Sequence, residues 1–305
     1  MKTLLGQSCT ENHQQSEFMK IGVITDGISH DFEHALDMMD KFGLQYAELQ
    51  FVWDKEVGFL ENSEVQKITE LLGQHQIMVS NICHHIFAGM PMTTKPGEPL
   101  HIQHLDRLKR CMEIAHAVGS PNVRILSPKK EQILFGANGA EKWNVAKGAW
   151  DVLLTIIAPA LEIAKDAGKQ LVVETGNGTM VNSSWTARKL IDDLNAKETL
   201  KVLWDPANNC WCHETAYPDG YELLREGYIA HIHIKDIYAD TPRAYLEVRE
   251  MGKGQLADQF KPMAEALRED KYVGVISFES VYHQGDGDFE AGFRKNIPTF
   301  LEYFG

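Results

Sequence analysis

The residues of this 305-residue chain with types and spacing suited to chemistry gather in Ala230–Asp236, which reads Ala-His-Ile-His-Ile-Lys-Asp. His231, His233 and Lys235 alternate with Ile232 and Ile234, the period of a strand whose two faces have different surroundings. Imidazole, ammonium and carboxylate at the exit of one strand suit a metal and substrate site better than a core. Three other apolar runs lead straight into a carboxylate: Leu-Val-Val-Glu174, Val-Leu-Trp-Asp205-Pro and Val-Ile-Ser-Phe-Glu279. A charge so placed is costly to desolvate unless it is paired or coordinates an ion. Three carboxylates and an imidazole form a mostly hard ligand set. It suits Mn²⁺, Mg²⁺ or Co²⁺, accommodates Zn²⁺, and leaves positions open for substrate oxygens. The competing reading pairs each acid with an internal Arg or Lys. That reading is as good for any one position and much poorer for all four.

Positioning these groups requires a repeated unit, and from Met19 onward one recurs: a β-rich run, a polar loop, then a helix-period segment. Strands are expected at Lys20–Thr25, Tyr46–Trp53, Ile77–Ile86, Asn122–Ser127, Gln170–Thr175, Lys201–Asp205, Ala230–Lys235 and Gly274–Glu279. Ser29 is expected to cap a helix carrying Phe32, Ala35, Leu36 and Met39 and ending at Gly43. Further helices are expected over Trp143–Ala167, kinked or split at Pro159, and over Ser184–Leu194, Tyr221–Glu226, Leu256–Glu269 and Phe289–Tyr303. Eight such units in this length predict an α/β fold, a single-domain (β/α)8 TIM barrel over residues 19–305. A doubly wound sheet is disfavoured because no Gly-x-Gly-x-x-Gly follows the first strand. In a barrel, chemistry belongs at the C-terminal strand ends, where all four candidate ligands lie.

Composition narrows the partners. Apolar residues at 44% and charged residues at 24% fit a globular protein with a large core. A net charge of −13 argues against a nucleic-acid partner, which calls for a basic footprint. Cys9, Cys83, Cys111, Cys210 and Cys212 form an odd set with no CxxC pair, as expected of reduced thiols in a cytoplasmic protein. Cys210 and Cys212, one residue apart, would point to opposite faces of a strand. No apolar run spans a bilayer, so no membrane partner is expected. Met1–Phe18 is polar beyond Leu4–Leu5 and stands outside the fold as a disordered extension, an upstream start or a cloning remnant.

In these motifs the chain resembles the xylose isomerase-like TIM-barrel superfamily, the group of sugar isomerases and epimerases and of endonuclease IV. The resemblance runs from about Lys20 to Tyr303. It is strongest at Val172-Val-Glu174, Trp204-Asp205-Pro, His231-Ile-His233-Ile-Lys235-Asp236, Gly252-Lys-Gly254 and Ile276-Ser-Phe-Glu279. It implies one divalent ion, Mn²⁺ foremost, held by Glu174, Asp205, His233 and Glu279, with His231 structural or supporting. It also implies an isomerase or epimerase acting on a keto-sugar or related polyol. There the ion chelates a carbonyl oxygen and a neighbouring hydroxyl and stabilises the enediolate, while Glu174 and Glu279 exchange the proton as base and acid. Lys235 adds positive charge at the oxyanion, and Asn208 hydrogen-bonds a hydroxyl. Endonuclease IV-like members carry a further His ligand where this chain has Asn208, and no His occurs in 237–251. A multinuclear zinc site cutting DNA is therefore not expected. Ketose epimerases carry His at the Asn208 position and an Arg after the strand-seven His, which argues against a simple free ketose here. A lyase or dehydratase acting on a keto-sugar or inosose needs nearly the same parts, and a carbohydrate-binding barrel without turnover needs only the fold.

Weaker candidates surround this set. His84 and His85 close the third strand, and alternation sends one of them toward the pocket; His85 is preferred for a substrate contact. Trp53 and Trp211 either stack on a sugar face or pack the rim. His283 either reaches the site from the last loop or stays in solvent. Glu48 and Arg124, both mid-strand, are expected to form an interior ion pair. Gly252-Lys253-Gly254 either cradles an anion through backbone N–H groups or is a plain flexible loop. Specificity is expected in the loops Phe87–Leu100 and Lys129–Glu141, and a homo-oligomer stays open.

Overall fold

Runs of aliphatic and β-branched residues form eight parallel strands: Lys20–Ile24 (β1), Tyr46–Leu49 (β2), Met78–Ile82 (β3), Asn122–Ile125 (β4), Gln170–Glu174 (β5), Leu200–Trp204 (β6), Ile229–Ile234 (β7) and Val275–Phe278 (β8). They close into a barrel in the order β1-β8-β7-β6-β5-β4-β3-β2, with β2 hydrogen-bonded back to β1. The computed structural model describes residues 19–130, 148–243, 245–285 and 287–305. Strands buried on both faces must be apolar almost throughout, which is why Leu171, Val172 and Val173 of β5 and Val202, Leu203 and Trp204 of β6 are fully buried in unbroken runs. The expected TIM barrel is the fold observed.

Helices wrap the strands: Phe32–Phe42 (α1), Asn62–His75 (α2), Pro99–Ala117 (α3), Ala149–Ala167 (α4), Ser184–Asp193 (α5), Pro206–Trp211 (α6), Tyr221–Leu224 (α7), Ala257–Glu269 (α8) and Phe289–Phe304 (α9). In α1, Phe32, Ala35, Leu36, Met38 and Met39 are buried toward the barrel. Gly43 stops that helix in the left-handed conformation at φ 70°, as its position predicts. The cap differs from expectation. Asp31 caps α1, its carboxylate accepting from the His34 amide at 3.3 Å, while the Ser29 hydroxyl accepts from the Asp31 amide and holds that cap. Pro159 does not split α4, because Ile156, Ile157, Ala160 and Leu161 around it are all buried, and that burial offsets a lost backbone hydrogen bond. The expected start of that helix, 143–147, lies outside the described residues, as do the extension 1–18 and most of the loop 129–141.

Two hairpins replace expected strand or loop. β2 ends at Leu49, and the chain folds Phe51–Val52 against Lys55–Glu56. The two-residue turn between them needs positive φ at both positions, supplied by Trp53 at 48° and Asp54 at 63°. After β7, Asp236–Asp240 pairs antiparallel with Tyr245–Arg249 where an open loop was expected. Cys210 lies in α6 and Cys212 caps it, so the strand geometry expected for them does not apply. Cys83, Cys111 and Cys210 are free thiols. No described helix is long and apolar enough to cross a membrane.

Candidate metal centre

The barrel delivers Glu174, Asp205, His233 and Glu279 to one cup from the C-terminal ends of β5, β6, β7 and β8. One ligand atom from each lies within 4.8 Å of all the others. Local sequence fixes each arm. The Asp-Pro step places Asp205 as N-cap of α6 and Pro206 at its first position, where a missing N–H costs nothing. The Asp205 carboxylate accordingly accepts from the Ala207 and Asn208 amides at 3.0 and 3.1 Å, which leaves Oδ2 facing the cup. His233 points Nδ1 toward Glu174 Oε1 at 3.3 Å and Glu279 Oε2 at 3.8 Å.

Two cations border the cup. Arg124 donates to Glu174 at 2.8 Å and to the Cys83 carbonyl at 2.6 Å. Lys235 bridges Asp205 Oδ2 and Glu279 Oε2, each at 2.5 Å. Burial alone would raise the Glu174 carboxyl, but the Arg124 guanidinium, His233 and Lys235 together outweigh it and bring the group down to about 2. Glu174 is therefore a fixed negative charge. The expected pair of Arg124 with Glu48 does not form. Glu48, on β2, is fully buried and reaches across the lumen to His231 and His233.

The donor set fits a divalent cation. Among the described residues, the carboxylates of Glu48, Glu174, Asp205 and Glu279 meet two permanent cations, Arg124 and Lys235, so two of the four are left to be balanced by the imidazoles, by protons or by an ion. Burial pushes Asp205 up to about 7. Burial would lower His233, but the Glu48 carboxylate together with Cys83 and Glu174 outweighs it and lifts the imidazole well above its ordinary value. Both shifts draw protons into a cup short of positive charge, and an ion of charge two supplies the same balance. His233 Nδ1, buried and facing the cup, has no hydrogen-bond partner.

The remaining candidates separate by position. Asn208 follows Asp205 in α6 and donates to the Thr175 carbonyl at 2.8 Å, tying the end of β5 to α6. Trp211 has the Lys235 ammonium 5.3 Å from its ring centre, so it borders the cup. The other three are held in rim networks. His85 Nδ1 pairs with Glu56 at 2.7 Å. Trp53 donates to Glu33 at 2.8 Å, packs edge-on against Phe32 and has the Lys67 ammonium over its ring. His283 accepts from the Gly285 and Gly287 amides and sits edge-on to Phe289. Of the two open readings for Gly252-Lys253-Gly254, the anion cradle is the one observed, and the anion is the chain's own Asp236. That carboxylate accepts from the amides of Ile237, Leu256, Gly252 and Gly254 at 2.7 to 3.1 Å. A Cβ on Gly254 would stand 2.2 Å from Asp236 Oδ1, so no side chain fits while the carboxylate stays. Gly254→Ala is expected to cost about 1–3 kcal/mol through overpacking, seen as a lower Tm; an unchanged Tm would show that the nest is not rigid.

Sequence reasoning passed over the part Glu48 and Arg124 play around the cup. Their only local signal was a charge in mid-strand, which demands a partner without naming one.

Comparison with known proteins follows the same outline. No curated protein sequence matches this chain. Among solved structures, an IolI protein with a bound zinc atom superposes with a TM-score of 0.71 at 17% identity, covering 94% of this chain and 98% of that one. The 3-keto-D-glucoside 4-epimerase YcjR from E. coli, in its apo form, gives 0.63 at 17%, covering 93% and 99%. The probable 3-DHS dehydratase AsbF from Bacillus anthracis gives 0.66 at 12%, covering 90% and 98%. At these identities the likeness is one of fold. Residues 36–302 match the family model of the xylose isomerase-like TIM barrel, and the chain belongs to that family.

Proposed function

We propose that this barrel is a divalent-metal-dependent isomerase or epimerase acting on a keto-sugar or related polyol. The observation that carries the reading is the convergence of Glu174, Asp205, His233 and Glu279 at one barrel mouth, with ligand atoms within 4.8 Å of one another. These four side chains hold the ion, Mn²⁺ by the hardness of the set, with Mg²⁺, Co²⁺ and Zn²⁺ as further candidates. When bound, the ion supplies Lewis acidity that polarises a substrate carbonyl and acidifies the C–H beside it.

The protein's own groups then move the proton. Glu279 and Glu174 exchange it at the substrate carbon, one as base and the other as acid. Arg124 keeps Glu174 ionised between turnovers. The Lys235 ammonium, anchored by Asp205 and Glu279, donates toward the oxygen where negative charge develops. Trp211 and Asn208, beside the cup, are the first substrate contacts; His85, Trp53 and His283 meet only a substrate large enough to reach the rim.

Elemental analysis of the purified protein beside His233→Ala tests the metal, with about one divalent ion per chain expected in the wild type and little in the variant. Incubation with a panel of keto-sugars in D₂O then tests the chemistry. Deuterium incorporated at a carbon beside the carbonyl, with an isomer as product, supports the proposal. An unsaturated or deoxy product would replace it with a lyase. A wild type that takes up no Mn²⁺, Co²⁺ or Zn²⁺ would leave a carbohydrate-binding barrel.

A further inference from the structure

Glu48 lies at the centre of a buried hydrogen-bond cluster in the barrel lumen. Its Oε2 lies 2.9 Å from His233 Nε2 and accepts from Cys83 Sγ at 2.8 Å, while Asn81 Nδ2 donates to it at 3.4 Å. Its Oε1 meets His231 Nε2 in a short contact and lies 3.2 Å from His233 Nε2. The His231 ring also stands edge-on to His233, with centroids 5.6 Å apart. Glu48, Cys83, His231 and His233 are all fully buried, and they come from β2, β7 and the end of β3.

We infer that Glu48 is a positioning residue that sets the tautomer and aim of His233. The Nε2 atoms of His231 and His233 are both turned toward the Glu48 carboxylate, that of His233 at 2.9 Å. An ionised carboxylate only accepts hydrogen bonds, so each Nε2 facing it carries its proton and donates. With its proton kept on Nε2, His233 turns the other nitrogen, Nδ1, toward Glu174 and Glu279 as a ligand atom. His231 and Cys83 hold the carboxylate itself from two further sides, so it cannot swing away and release the ring. A carboxylate behind a liganding histidine fixes ring orientation and raises the basicity of the other nitrogen, and losing it costs roughly 10- to 100-fold in metal affinity.

The inference rests on the metal reading above, and the test separates the two. Zn²⁺ and Mn²⁺ binding to metal-stripped full-length protein is measured by calorimetry for wild type, Glu48→Gln and Glu48→Asp, with circular dichroism and Tm recorded for each. Glu48→Gln is expected to bind both ions roughly 10- to 100-fold more weakly, with part of the loss restored in Glu48→Asp, which keeps the acceptor. A Tm that falls while affinity stays within about twofold of wild type would make Glu48 a structural residue only and overturn the inference. Should both variants fail to fold, the wild type decides. Long-range ¹H–¹⁵N spectra of the Zn²⁺-loaded, histidine-labelled protein are expected to place the His233 proton on Nε2, and a proton on Nδ1 sinks the idea. Wild type that binds neither ion would end the metal reading and this inference together, a result visible before any variant is made.

Discussion

Glu174→Gln is expected to slow deuterium exchange from a responsive keto-sugar by roughly 10²- to 10⁴-fold, the usual worth of a positioned acid or base. The amide has the shape of the carboxylate and cannot take or return a proton. It is also a weaker ligand, so exchange must be measured at saturating metal, where a deficit in ion binding no longer contributes. Arg124 makes this variant more telling. In the wild type its guanidinium, 2.8 Å from Glu174 Oε2, helps keep that carboxyl at about 2. A carboxyl held so low is ionised at neutral pH, so in the proposed reaction it enters turnover able to accept a proton and with none to supply. The prediction fails if exchange at saturating metal stays within about tenfold of wild type.

The second large effect falls on stability. Arg124 and Glu174 are almost fully buried, and Arg124 is the only guanidinium within reach of that carboxylate among the described residues. Removing one partner of a buried pair strands the other charge, at a cost of about 3–5 kcal/mol. Arg124→Met should therefore lower Tm by roughly 5–15 °C. The double variant Arg124→Met with Glu174→Gln strands no charge and should recover much of that loss. A Tm for Arg124→Met within about two degrees of wild type would mean that water or a bound cation already compensates Glu174. Added Mn²⁺ offers a second readout, because an ion at the cup neutralises the stranded carboxylate and should stabilise Arg124→Met more than it stabilises wild type.

The corrections at Glu48 and Arg124 concern long-range partners, which no local pattern names. Glu48 and Arg124 were expected to pair because both are charges inside strands, yet each found a different partner. Two irregularities in the ladder lie at Glu48 and beside its partner His231. The pairing of β2 with β3 shifts between Ala47 and Glu48, so Glu48 lies opposite Asn81 and Ser80 is passed over. The pairing of β6 with β7 shifts between Val202 and Leu203, so Leu203 lies opposite His231 and Ala230 is passed over. Because side chains alternate faces, a one-residue shift changes which of them enter the lumen. Propensity and periodicity carry no trace of such a shift.

The sequence by itself determined the eight strands, the closed-barrel class and the four strand-end residues. Each of these is a local pattern, an apolar run that must be buried on both faces followed by a polar group that must not be left alone. It also determined the placement of Asp205, since an Asp before Pro at a helix start is a backbone preference satisfied within four residues. Only the tertiary structure decided that Arg124 holds Glu174, that Lys235 bridges Asp205 and Glu279, that Asp236 fills the Gly252–Gly254 nest, and that Glu48 stands behind His233. These contacts join residues 16 to 185 positions apart. Their energies come from charges meeting in a dry lumen, and which charges meet there is set by barrel closure and strand register, not by neighbours in the chain.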